Sequence, residues 1–250
     1  MIGAMNNMIK EINTVKFIYK GEEETDEITK NKIQEYWQKM LKEKEFLHEN
    51  QILIVSSLAN NKNDYTIELK KSTFSKFMYS KENKAGDMRA LFSGAYILTA
   101  DHYIVCVLNH YYENEVEFET LNLVGGMADV ADIIEGEYSC EKCLIREVKE
   151  ELGFDLEDAN WNIQLKYLKY PSKNENSSCY PIGTLYEIKT SYTKEQLEKM
   201  FIESTHDNEV KELLFFSKEN YKKIYEYEHK KQYIPELFEM VFKKECLIKV

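Results

Sequence analysis

The sequence predicts an α/β protein in which a sheet lies between layers of helix, and three observations carry that reading. From residue 90 to residue 216, short apolar stretches of strand length recur between turn-forming clusters. One markedly amphipathic helical stretch, bounded by Ser139 and Gly153, interrupts them. Past the last strand the chain closes on helical periodicity at residues 217–227 and 235–244. Such a sheet and such helices each have an apolar face to hide, and the packing that hides both is an α/β/α sandwich.

In chain order, residues 14–19 read as a strand and residues 21–26 as an acidic turn. Residues 29–45 carry Ile33, Tyr36, Trp37, Met40 and Leu41 at helical spacing, a stripe suited to core contact. Residues 51–58 and 65–70 flank the turn-rich run 60–64 and form a hairpin. Phe74, Phe77, Met78 and Tyr79 follow on a short helix or an irregular segment. The polar stretch 81–87 is the boundary: residues 1–85 form an N-terminal accessory α+β region, and residues 86–250 the main domain. Beyond it, strands fall at 90–99, 103–109 and 117–123, the third running into Gly125 and Gly126. After the central helix come strands at 161–170 and 180–190, a helix at 193–201 capped by Thr193, and a strand at 210–216. The polar run 172–178, between Pro171 and Pro181, has the length of a lid.

The chain of 250 residues suits one large domain or a domain with an appendage. Its net charge of −11 excludes a polyanion such as nucleic acid as main partner, because that affinity comes from neutralising phosphates. No apolar run is long enough to span a bilayer. The first residues show no Lys- or Arg-led apolar core with a cleavage site, so a cytoplasmic location is expected. The cysteines, Cys106, Cys140, Cys143, Cys179 and Cys246, are odd in number and scattered, which suits a reducing compartment. Cys140 and Cys143 form a CxxC, but no second ligand pair exists for zinc, so they are expected to pack beside the glycine loop.

The chemistry concentrates on the helix between Ser139 and Gly153. Ser139 is a good N-cap, since its hydroxyl takes up an unpaired amide of the first turn. Gly153 is a good stop, since glycine adopts the left-handed C′ conformation cheaply. At 100° per residue, Glu147, Glu150 and Glu151 share one arc, with Leu144, Ile145, Val148 and Leu152 on the arc beside it. Three carboxylates on one arc repel each other unless they are solvated or hold a divalent cation. Mg²⁺ or Mn²⁺ takes oxygen ligands and pairs protein carboxylates with substrate phosphates. Gly125 and Gly126 let the backbone come close to such a site.

Residues Arg146-Glu147-Val148-Lys149-Glu150-Glu151-Leu152-Gly153-Phe154 resemble the second half of the Nudix box, R-E-U-x-E-E-x-G-U with U bulky and apolar, and every fixed position matches. Gly126 and Glu137 resemble its first half, G-x5-E-x7-R. Here ten residues rather than five separate Gly126 from Glu137, and eight rather than seven separate Glu137 from Arg146. The resemblance covers roughly residues 90–216. It implies an α/β/α sandwich around a mixed sheet, and a pyrophosphohydrolase in which water attacks a phosphorus of a nucleoside diphosphate linked to another moiety.

Carried over residue by residue, the resemblance implies Glu147, Glu150 and Glu151 as metal ligands, with the Gly126 carbonyl completing the shell. It implies Arg146 as the orienter of a box glutamate, Glu137 as an outer metal residue, and Mg²⁺ or Mn²⁺ as the cofactor. A general base is expected in a later loop, where Glu203, His206, Asp207 and Glu209 stand, and Glu203 is the choice. Asp129, Asp132 and Glu135, in the stretched loop, are expected to be solvated. The N-terminal extension favours a two-part substrate such as a nucleotide sugar or ADP-ribose, and is of a kind that also builds homodimers. The alternative is a non-catalytic nucleotide-binding module or regulator that keeps the Nudix fold.

Overall fold

The computed structural model describes residues 9–43, 47–85, 88–113, 116–170 and 181–247, and for 111–113, 116–117 and 244–247 the backbone alone. The expected lid at 172–178 lies outside the described residues. The N-terminal elements are β1 (Ile9–Glu11), β2 (Thr14–Glu22), α1 (Glu27–Glu43), β3 (Gln51–Asn61), β4 (Asp64–Thr73) and α2 (Phe74–Asn83). Then follow β5 (Arg89–Leu98), β6 (Ile104–Glu113), β7 (Val116–Asn122), β8 (Val124–Met127), the short strands β9 (Ile133–Ile134) and β10 (Glu137–Tyr138), and α3 (Cys140–Leu152). The chain ends with β11 (Trp161–Lys169), β12 (Ile182–Thr190), α4 (Lys194–Glu203), β13 (Val210–Phe216) and α5 (Ile234–Leu247).

Strand β5 is the hub, and its sequence explains why. Arg-Ala-Leu-Phe-Ser-Gly-Ala-Tyr-Ile-Leu is nearly apolar throughout, as suits a strand covered on both faces. One edge pairs in parallel with β12, from Leu91 opposite Ile182 to Leu98 opposite Lys189. The other edge is shared by three antiparallel partners in turn: β3 at Arg89 and Ala90, β8 at Phe92 to Ala95, and β6 at Ile97 and Leu98. The sheet is therefore mixed. Strand β6 extends it, carrying β7 and β13.

Alternation along β5 separates two cores. Leu91, Ala95 and Ile97 face Leu144, Val148 and Leu152 of α3 and Leu197 and Phe201 of α4. Tyr96 and Leu98 face Leu237, Phe238 and Val241 of α5. Helices thus cover both faces, and the expected α/β/α layering is present. Helix α2 packs Phe77 on Ile52, Ile54 and Met88, and α1 packs Trp37 on Phe74 with ring centroids 6.0 Å apart. None of the helices among the described residues is long and apolar enough to cross a membrane.

Two features depart from the sequence reading. Residues 9–14 join the sheet's outer strands: β1 pairs with β11 and β2 with β4, while Ile12 N–H bonds Lys166 O at 3.1 Å and Asn13 N–H bonds Asn63 O at 2.9 Å. The chain here passes from one edge of the sheet to the other. Leu53, Ile67 and Leu69 of the N-terminal region then share one core with α3. The helix expected at 217–227 is only a 3-10 turn, Tyr221–Glu226. Ser217 N–H bonds Asn220 Oδ1 at 2.7 Å and Glu219 N–H bonds Ser217 Oγ at 3.2 Å, local side-chain bonds that compete with helix.

Candidate active site

Helix α3 forms as its caps dictate. Ser139 Oγ accepts Lys142 N–H at 3.3 Å, and Gly153 takes φ +69°. Its buried stripe, Cys143, Leu144, Val148 and Leu152, locks the rotation of the helix against the sheet. That rotation turns the carboxylate arc onto the glycine pair of β8.

The contact is close. Glu147 lies directly over Gly126, where any Cβ would collide with its carboxylate. Glu151, 5% exposed, accepts Gly125 N–H at 3.2 Å. Gly125 has φ +134°, and a Cβ there would overlap the Ser93 carbonyl, so this glycine is required by conformation and by space, whereas a Cβ at Gly126 would displace the flexible end of Glu147. Burial pushes the Glu147 carboxyl up to about 7, with Arg146 pulling the other way and Glu150 and Asp132 adding to the rise. Burial pushes Glu151 up to about 9; the Gly125 N–H opposes this, and Glu147, Glu209 and Asp207 reinforce it. The pair carries more negative charge than its surroundings stabilise.

Arg146 gathers the acids. Its Nη1 donates to Glu147 Oε1 at 2.7 Å and Glu150 Oε2 at 3.1 Å. Its Nε and Nη2 donate to Asp132 Oδ1 at 3.3 Å and Oδ2 at 3.2 Å, a fork on a carboxylate only 4% exposed. Asp132 is therefore no solvated loop residue, contrary to the sequence expectation. Its burial follows from three further bonds: Oδ2 takes Asp129 N–H at 2.9 Å, its carbonyl takes Ser139 N–H at 3.1 Å, and Asp129 caps the 3-10 turn Val130–Asp132. Asp129 and Glu135 are at most half-buried, as expected.

Five residues separate Gly126 from Asp132, so the G-x5-E spacing of the first half-box is met with aspartate in place of glutamate, and the insertion falls between Asp132 and Arg146. The extra residues form the β9–β10 hairpin, in which Glu135 and Gly136 take positive φ. Glu137 is exposed on that hairpin, and Tyr138, its neighbour, is buried against Phe17 with ring centroids 4.9 Å apart.

The loop after α4 is tied to the end of α3. Ser204 Oγ donates to Leu152 O at 2.9 Å and Asp207 N–H to Glu150 O at 2.8 Å, satisfying carbonyls a helix end leaves open. This sets Asp207 and Glu209 beside the box glutamates, and partial burial, then Asp207 and Glu150, raise the Glu209 carboxyl. Glu203, the residue chosen from sequence, instead sits exposed at the end of α4, paired with Lys199 at 3.7 Å. Helical spacing explains this, since Lys199 and Glu203 are four apart on one face.

Cys140 and Cys143 are free buried thiols, and Cys140 Sγ lies 2.7 Å from Tyr186 Oη, so the pair packs under the helix start as expected. A divalent cation fits the chemistry of Glu147, Glu150 and Glu151, all hard oxygen donors with surplus charge. Among the described residues no three His, Cys, Asp or Glu side chains are already arranged so that together they could hold a metal ion. Arg146 now supplies the neutralisation that a cation would share.

The sequence matches no protein-family model, and no curated protein matches it. Solved structures do resemble the chain at a distance. The NUDIX domain of Shewanella oneidensis NrtR, complexed with ADP ribose, is 14% identical, with 70% of this chain and 99% of that one covered and a TM-score of 0.41. A NUDIX hydrolase from Nitrosomonas europaea is 15% identical, with 60% and 86% covered and a TM-score of 0.38. A bifunctional NMN adenylyltransferase/ADP ribose pyrophosphatase from Francisella tularensis, complexed with AMP and a Mn ion, is 15% identical, with 60% and 40% covered and a TM-score of 0.38. Likenesses this distant describe similarity alone, and the functional reading rests on the side chains above.

Proposed function

We propose that the chain is a Nudix-type pyrophosphohydrolase that uses Mg²⁺ or Mn²⁺ to hydrolyse a nucleoside diphosphate linked to another moiety, of the nucleotide sugar or ADP-ribose class. The observation that supports this is the seating of Glu147 and Glu151 on the two glycines, both carboxyls raised by burial. Such a cluster is a poor surface and a good cation cradle. Glu147, Glu150 and Glu151 would hold the metal, with the Gly126 carbonyl beside them; a bound divalent ion neutralises phosphate charge and makes its water a better nucleophile. Arg146 orients Glu147 and Glu150, and Asp132 holds Arg146 in place. Asp207 and Glu209 stand where a general base is wanted, ahead of Glu203.

The arginine bridging two of the glutamates favours a second reading, a nucleotide-binding module that does no chemistry. A screen separates them: nucleotide sugars, ADP-ribose, dinucleotide polyphosphates and nucleoside triphosphates with Mg²⁺ or Mn²⁺, products resolved by chromatography. Turnover of one class, reduced at least about a hundredfold in Glu150→Gln and Glu151→Gln, is the expected result. Nucleotide binding without turnover would establish the second reading.

A further inference from the structure

Strand β8 presents alternate residues to opposite faces of the sheet. Gly126 faces Glu147 of α3. Met127, the next residue, packs against a different cluster, that of Ile52, Ile54, Phe77, Met88 and Ala90. Ile52 and Ile54 lie on β3 and Phe77 on α2, so this seat belongs mostly to the N-terminal region. The backbone just beyond is held from the same side. Leu53 N–H bonds Ala128 O at 3.0 Å, and Ile52 bridges Asp129.

The segment held in this way delivers both groups that grip the base of the Arg146 guanidinium. The Met127 carbonyl accepts from Nη2 at 3.3 Å. Asp132, whose Oδ2 takes Asp129 N–H at 2.9 Å, accepts from Nε and Nη2. The remaining nitrogen, Nη1, is the one that reaches Glu147 and Glu150. A guanidinium is planar and rigid, so fixing Nε and Nη2 fixes Nη1 as well.

We infer that Met127 is a positioning residue. Its side chain, seated in the N-terminal cluster, sets the carbonyl that fixes Arg146, and through Arg146 the directions of Glu147 and Glu150. The N-terminal region is thereby part of the site. The use of this hold in catalysis rests on the hydrolase reading; the hold itself does not.

The test is hydrogen exchange of the Arg146 Nε–H, followed by NMR in the presence of a chelator. The chain has two arginines, Arg89 and Arg146, and Arg89→Lys assigns the signals. Met127→Ala should speed this exchange at least about tenfold, because it removes the side chain that seats the carbonyl. Met127→Leu, of similar volume, should stay within about twofold of the wild type. Phe77→Leu, which changes no atom of α3 or β8, should speed exchange about threefold and covers the case in which Met127→Ala misfolds. Phe238→Leu, in the core under α5, should lower the melting temperature yet leave the exchange unchanged. A wild-type proton exchanging as fast as that of free arginine, an unchanged rate in folded Met127→Ala or Phe77→Leu, or equal acceleration by Phe238→Leu overturns the inference. Mn²⁺ should bind Met127→Ala at least about threefold more weakly than Met127→Leu, and equal, saturable binding by the two overturns the link to the glutamates. A held arginine in a protein that hydrolyses nothing removes the hydrolase reading alone; a loose one in an active enzyme removes this inference alone.

Discussion

On the helix Cys140–Leu152, three carboxylates are placed by spacing and by the rotation its buried stripe imposes. On the loop between Gly126 and Tyr138, one carboxylate, Asp132, is placed by what it bonds to. Both stretches deliver acid to Arg146. The helix tolerates no shift in sequence spacing, whereas the loop has absorbed a two-stranded hairpin without losing its contact. Periodicity fixes geometry in the first; a fixed partner fixes it in the second.

The largest way to break this comparison is at the seam. Gly125→Ala puts a Cβ against the Ser93 carbonyl at φ +134° and should cost about 3–4 kcal/mol, read by chemical denaturation. An unchanged midpoint would mean that β8 has slack to move. Next, Asp132→Ala should destabilise by about 2–3 kcal/mol, because it leaves Arg146 with part of its fork open in a half-buried setting. Glu137→Ala should stay within about 0.5 kcal/mol, as exposed positions do. Equal effects at the two positions would erase the distinction between the held loop acid and the exposed one.

A further effect, close in size to that of Asp132→Ala, is in pH. Glu151 is raised to about 9 in the folded chain from an ordinary value of 4.5. Between those values the folded state keeps a proton that the unfolded chain has released, so stability falls as pH rises through that window. In the presence of a chelator, the loss attributable to Glu151 should be about 1–3 kcal/mol between pH ~5 and pH ~9, and Glu151→Gln should flatten it. A metal-free protein whose stability rises with pH across that window would contradict the burial of this carboxyl.

How much was legible follows the same division. The helix bounds, its caps and the glutamate arc were readable because local spacing determines them, and Val210–Phe216 was placed to the residue. Strand β1 was missed because three residues carry no period; it is held by pairing with β11 across the sequence. Asp132 was missed for a different reason. Spacing counted back from Arg146 falls on Tyr138, whereas spacing counted forward from Gly126 reaches the aspartate. Glu203 outranked Glu209 in sequence because nothing local shows that Ser204 and Asp207 bind the α3 carbonyls.

The central claim, that the helix acids form a divalent-cation site over the glycine pair, is tested most directly by Mn²⁺ titration followed by electron paramagnetic resonance. The wild type should remove free Mn²⁺ signal saturably, and Glu147→Gln and Glu151→Gln, folded by circular dichroism, should each weaken that binding at least about tenfold. Wild-type binding that both variants retain, or no binding in the wild type, would contradict the account.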